Sequence, residues 1–187
     1  NDSVFFFNFR EDSISQIFEA FADQNFSRFE TKKIVNLHIA SMTKYKDRPA
    51  VPIAFPSETV ENPLGKVLSD SGKRQLRIAE TEKYAHVTSF FNGLRELPFP
   101  GEYQVLIPSK NVAHHDEYPE MMAREITERA TQAVFEESFD FILLNYANAD
   151  MIAHTGNYEA LIQALKIVDE EIGKLMKAVL SKNGYLI

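Results

Sequence analysis

Cysteine is absent from the 187 residues, which excludes disulfide staples and thiol chemistry. Positive charge is in deficit: 20 Lys and Arg stand against 27 Asp and Glu, a net charge of −7. That balance argues against a general nucleic-acid binder, so an anionic ligand has to be met by individually placed Arg and Lys side chains. No apolar run approaches the roughly 18 residues that span a bilayer, and no secretory leader is visible. The expectation is a cytoplasmic protein without nucleic-acid or membrane partners. An initiating Met is also missing, and the last residues, Tyr185-Leu186-Ile187, read as the first half of a buried strand. A terminus rarely falls inside an apolar strand, because its neighbours would lose hydrogen-bond partners. The chain is therefore expected to be a piece of a longer protein.

Hydrophobic residues make up 44% and charged residues 25%, enough to bury a core and stay soluble. Residues 4–9 are aromatic and strand-like, and Ile14, Ile17, Phe18 and Phe21 follow at helical spacing, with Asp12 or Ser13 as N-cap. Residues 33–42 read as another strand, with His38 structural. Four prolines between Pro49 and Pro63 exclude helix and mark a linker. Its boundary is placed near Ser57–Glu61, dividing the chain into 1–57 and 58–187. Beyond it, strands and helices alternate. A helix capped at Asn62-Pro63 precedes a strand at Gln75–Ala79 and a helix from Tyr84 to Phe91. A strand at Tyr103–Ile107 precedes a helix opened by Pro119, and a strand at Phe139–Leu144 follows. Asn157 caps a last helix with an apolar stripe at Leu161, Leu165, Val168, Ile172, Leu175 and Val179. The fold class is α/β, a sheet with helices on its faces.

Asp150 and His154 follow the strand at 139–144 and stand four apart. On one helical turn both side chains point the same way, and a carboxylate with an imidazole suits a divalent ion. On spacing alone such a pair is more often a solvated helix face. Arg10 and Lys83 each follow a strand and precede a helix, where free N–H groups and the helix dipole favour anions. Equally, Arg10 can pair with Glu11 or Asp12, and Lys83 with Glu80 or Glu82. His86 reads as a helix-interior structural residue, and His114-His115 as part of a polar loop with Asp116 and Glu117, incidental to function.

Three stretches resemble the cofactor-independent phosphoglycerate mutases of the alkaline-phosphatase superfamily. They are Asn145-Tyr-Ala-Asn148-Ala-Asp150 with His154-Thr-Gly-Asn157, Glu80-Thr-Glu-Lys-Tyr-Ala-His-Val-Thr88 with Phe90-Phe-Asn-Gly93, and Asn8-Phe-Arg10 with Asp12. The resemblance covers essentially the whole chain. It implies a partial three-layer αβα sheet of alkaline-phosphatase type, preceded by the end of a second α/β domain that binds substrate. It implies interconversion of 2- and 3-phosphoglycerate through a phosphoserine, with two divalent ions, Mn²⁺ by expectation, in a monomer. Asp150 and His154 would be ligands of one ion, and Arg10 and Lys83 would belong to one substrate site. The family's second arginine is replaced here by Ser13, which can donate a hydrogen bond but carries no charge. The family's serine nucleophile and remaining ligands lie outside these residues, so the chain alone is expected to be inactive. Another phosphomutase or phosphatase of the superfamily, or a non-catalytic binding remnant, are the alternatives.

Overall fold

The computed structural model describes residues 2–11, 14–32, 34–45, 51–56, 58, 60–136 and 138–187. The chain forms two compact units, Asn1–Thr59 and Val60–Ile187.

In the first unit, β1 (Asp2–Phe6) pairs in parallel with β2 (Leu37–Ser41), Phe6 opposite Ser41. Between them runs α1 (Ser15–Ala22). Phe18 is the buried residue of α1 and meets the edges of Phe6 and Tyr45, each at 5.4 Å. The Tyr45 hydroxyl reaches the carbonyls of Phe6 at 3.0 Å and Asn8 at 2.6 Å, and Thr43 Oγ1 donates to the Phe9 carbonyl at 3.0 Å. These bonds pin the chain where it leaves β1. Both strands are shorter than the sequence suggests. Phe7 and Phe9 are exposed rather than paired, and Asn36, in the left-handed region at φ 60, sets the start of β2. His38 is exposed on β2. The described part of the proline-rich stretch contains no helix and adds a parallel bridge, Ser41 to Ile53.

In the second unit, β3 (Gln75–Glu80) lies between β4 (Glu102–Ile107) and β5 (Phe141–Asn145), all parallel. Side chains of β3 alternate between two covered faces, so every residue of the strand is buried. Leu76 and Ile78 enter a core with Ile126, Ala130 and Ala133 of α4 (Ala123–Phe135) and Leu175 of α6 (Tyr158–Ser181). Gln75 and Arg77 point the other way, toward α2 (Leu64–Asp70) and the turns ending at Gly93. The α/β expectation thus holds, with helices on both faces of a parallel sheet.

Arg77 is a fully buried cation inside a strand, which no feature of the local sequence pattern signals. Its guanidinium lies over the rings of Phe91 at 4.5 Å and Phe141 at 5.1 Å, and Nη2 donates to Gln75 Oε1. Burial lowers its pKa below the usual guanidinium range, and the charge of Glu102 opposes that shift. Gln75 Nε2 in turn donates to the Gly65 carbonyl at 2.7 Å. A Cβ on Gly65 would meet Asn92 Oδ1 at 2.4 Å, so glycine is what lets α2 approach this network.

Four local expectations differ from the structure. The helix from Tyr84 is only α3 (Tyr84–Val87), because Thr88 turns out of helical geometry at ψ −99 and its hydroxyl donates back to the Tyr84 carbonyl at 2.8 Å. The helix near Pro119 starts at Ala123, since Met121 takes a left-handed φ of 42. The buried residues of α6 are Ala160, Ala164, Glu171, Leu175 and Ala178; of the predicted stripe, Leu161 and Val179 also pack on the cores, whereas Leu165 and Ile172 are exposed. Alanines on α4 and α6 face the shared core, where small side chains allow close approach. Tyr185–Ile187 pair with no strand among the described residues; α6 ends at Ser181 and Asn183 turns the chain with a left-handed φ of 55. No helix among the described residues is long and apolar enough to cross a membrane.

Candidate metal and substrate site

Because β3 and β5 are parallel neighbours, with Ala79 opposite Asn145, their carboxy ends emerge side by side. This edge is where α/β sheets build sites. The chain leaving β3 makes a 3-10 turn, Thr81–Lys83. The chain leaving β5 makes α5 (Asn148–Ala153).

Hydrogen bonds and apolar anchors orient α5. Asn148 is buried, and its Nδ2 donates to the carbonyls of Pro119 at 2.8 Å and Glu120 at 2.9 Å. Ala147 and Ile152 pack in a second core with Met121, Ala160 and Ala164. With those positions inward, the helical period turns Asp150 and His154 outward together. His154 Nε2 lies 3.5 Å from Asp150 Oδ1, and the side chains are 73% and 54% exposed. Gly156, at φ 76, makes the turn that lets Asn157 cap α6, its Oδ1 accepting from the Ala160 N–H at 3.1 Å.

Lys83 reaches the same carboxylate. Its Nζ donates to Asp150 Oδ2, and its side chain is only 13% exposed. The candidate partners in the sequence were Glu80 and Glu82; the structure pairs it across the sheet edge instead. Glu80 ends β3 fully buried, receives Ser109 Oγ at 3.0 Å through Oε2, and leaves Oε1 without a partner. Burial raises its pKa above the ordinary 4.5, opposed by hydrogen bonds from Ser109 and the Met122 backbone.

An open cavity of about 630 Å³ adjoins His154, lined by His114, His115, Asp116, Glu117 and Met151 among others. Asn157 Nδ2 ties this loop down by donating to Asp116 Oδ2 at 2.9 Å. The loop that looked incidental in sequence therefore borders the site, and nothing in its own spacing signals that. His86, expected inside a helix, is exposed with its ring 5.2 Å from Phe90. Arg10 is exposed in the connection between β1 and α1 of the first unit, and Ser13 lies outside the described residues.

Oxygen and nitrogen donors converging on an exposed helical turn fit a divalent ion of the Mn²⁺ or Zn²⁺ kind. Among the described residues no three His, Asp or Glu side chains converge as a cage; Asp150 and His154 are two candidate donors. A parallel α/β sheet with a carboxylate–imidazole pair and a lysine at its carboxy edge suits metal-dependent handling of anions. The comparisons agree: residues 8–187 match the model of the Metalloenzyme superfamily, and the chain belongs to that family. It is 48% identical over 187 residues to the 2,3-bisphosphoglycerate-independent phosphoglycerate mutase of Antithamnion sp.. It is 48% identical over 184 residues to the enzyme of the same name from Francisella tularensis subsp. novicida. The chain spans 37% and 36% of those relatives' lengths. A phosphoglycerate mutase of Leishmania mexicana, crystallised at low cobalt concentration, superposes with a TM-score of 0.71 at 31% identity, over 91% of this chain and 32% of that one.

Proposed function

We propose that these residues belong to a full-length 2,3-bisphosphoglycerate-independent phosphoglycerate mutase, interconverting 2- and 3-phosphoglycerate in the cytoplasm as a monomer. The observation that carries the reading is the convergence of Lys83, Asp150 and His154 at the carboxy edge of β3 and β5, in a chain 48% identical to mutases over its whole length. Asp150 and His154 hold one of two divalent ions, Mn²⁺ by preference, through a carboxylate oxygen and an imidazole nitrogen. Bound there, a divalent ion supplies charge neutralisation for phosphoryl oxygens and lowers the pKa of a nucleophilic hydroxyl. Lys83 and Arg10 bind the anionic groups of the substrate, Lys83 as a point charge and Arg10 as a planar fork. Ser13 adds at most one neutral hydrogen bond where a second cation would stand. The phosphoryl group passes through a serine outside these 187 residues.

The test is turnover of 3-phosphoglycerate by the full-length protein with Mn²⁺, beside a phosphopentose substrate. Activity on the first alone, lost in Asp150→Ala and His154→Ala, is the expected result. Preference for the phosphopentose, or full activity in both variants, overturns the assignment.

A further inference from the structure

Among the partners of the Asp150 carboxylate are Lys83, which donates to Oδ2, and His154, which Oδ1 faces. The carboxylate proposed for the metal ion is thus also the one that holds Lys83, a cation proposed for substrate. An ammonium on Oδ2 and a divalent cation on Oδ1 would stand on one carboxylate and repel each other across it. We infer that Lys83 and the metal exchange at Asp150, so that metal binding is what delivers the Lys83 ammonium to the substrate. This rests on the mutase reading above and adds an order to it: metal first, phosphoglycerate second.

Geometry supports the exchange. Asp150 is 54% exposed, so an incoming ion has access to it, whereas Lys83 is 13% exposed. Nearby Glu80 is buried with Ser109 on its Oε2 and with its pKa raised toward the neutral form, which makes it a poor substitute partner. A displaced ammonium at this edge therefore gains from a phosphoryl or carboxylate group arriving from solution. Without the ion, Lys83 is held by Asp150 and unavailable to substrate. The two ligands are then coupled through one side chain, in addition to any direct contact between them, and each must strengthen the other's binding.

The experiment uses the full-length protein, with Mn²⁺ binding read by calorimetry and Lys83 exposure read by trace acetylation and mass spectrometry. Lys83 labelling is expected to be low without metal, to rise with Mn²⁺ in step with the calorimetric saturation, and to fall again when 3-phosphoglycerate is added. In Asp150→Asn, Lys83 should label readily with no metal present. Lys83→Met should tighten Mn²⁺ binding by about threefold to fivefold, the order of a partly exposed ion pair removed from competition. If Mn²⁺ binds but labelling of Lys83 does not change, or if Lys83→Met leaves the affinity unaltered, the exchange is wrong while the mutase reading stands. If the wild-type protein binds no Mn²⁺, both fall together.

Discussion

Asp150 was legible as a ligand candidate from its spacing to His154, but not as the partner of Lys83, which lies 67 residues earlier. Lys83 was legible as a cation at a strand-to-helix junction, and the local acids beside it were the natural partners to weigh. The outcome depended on which strands are neighbours. If Lys83 and Arg10 both hold substrate, Lys83→Ala and Arg10→Ala should each lower kcat/KM of the full-length enzyme by about 2 kcal/mol or more, the order of a desolvated charge-assisted contact. Unchanged kcat/KM in both variants would remove them from the substrate site. In sequence, Glu80 stands as a candidate partner of Lys83, not as a buried acid. Burial raises its folded pKa above the ordinary 4.5, so the folded state holds the proton more tightly than the unfolded one. Its stabilising contribution is complete below the unfolded value and is lost as pH rises through the raised folded value. Glu80→Gln, neutral throughout, should therefore gain stability relative to wild type between about pH 4 and about pH 7, read as urea midpoints at the two pH values. A difference that does not grow with pH would contradict the burial argument.

At the scale of elements, most positions were readable because apolar spacing and punctuation were clear: Gly72, in the left-handed region at φ 68, follows α2, and Asn157 caps α6. The boundaries that moved did so through backbone choices that spacing does not encode, such as Met121 at φ 42. The face of α6 was misread for a different reason. Leucines outrank alanines in any hydrophobicity pattern, yet close helix packing selects the alanines at the contact. Asn157 joins two elements, capping α6 through Oδ1 and holding Asp116 through Nδ2. Asn157→Ala should cost about 1 kcal/mol from the lost cap alone, measured by chemical denaturation of the full-length protein. Asn157→Asp keeps the cap but sets a carboxylate against Asp116, so it should loosen the 114–117 loop, seen as faster amide exchange there. Stability equal to wild type in Asn157→Ala would show that the cap contributes nothing.

At the scale of the molecule, a polypeptide of residues 1–187 offers two donors to an ion where catalytic sites use about three protein ligands, and it lacks the serine that the resemblance requires. It is expected to show no turnover of 3-phosphoglycerate with Mn²⁺, against clear activity of the full-length chain; turnover by residues 1–187 would refute the placing of nucleophile and ligands elsewhere. The chain divides into two compact units between Thr59 and Val60, and Pro56 and Pro63 stand on either side of that division. By itself the sequence determined the alternation of strands and helices, the donor pair on one helical turn, and the motifs that point to the family. Those are local properties, set by periodicities of a few residues. Only the tertiary structure decided that β3 stands beside β5, that Lys83 meets Asp150, and that Arg77 is buried against two aromatic rings. Strand order and face-to-face packing are settled by contacts between residues far apart in the chain, and no local spacing carries that information.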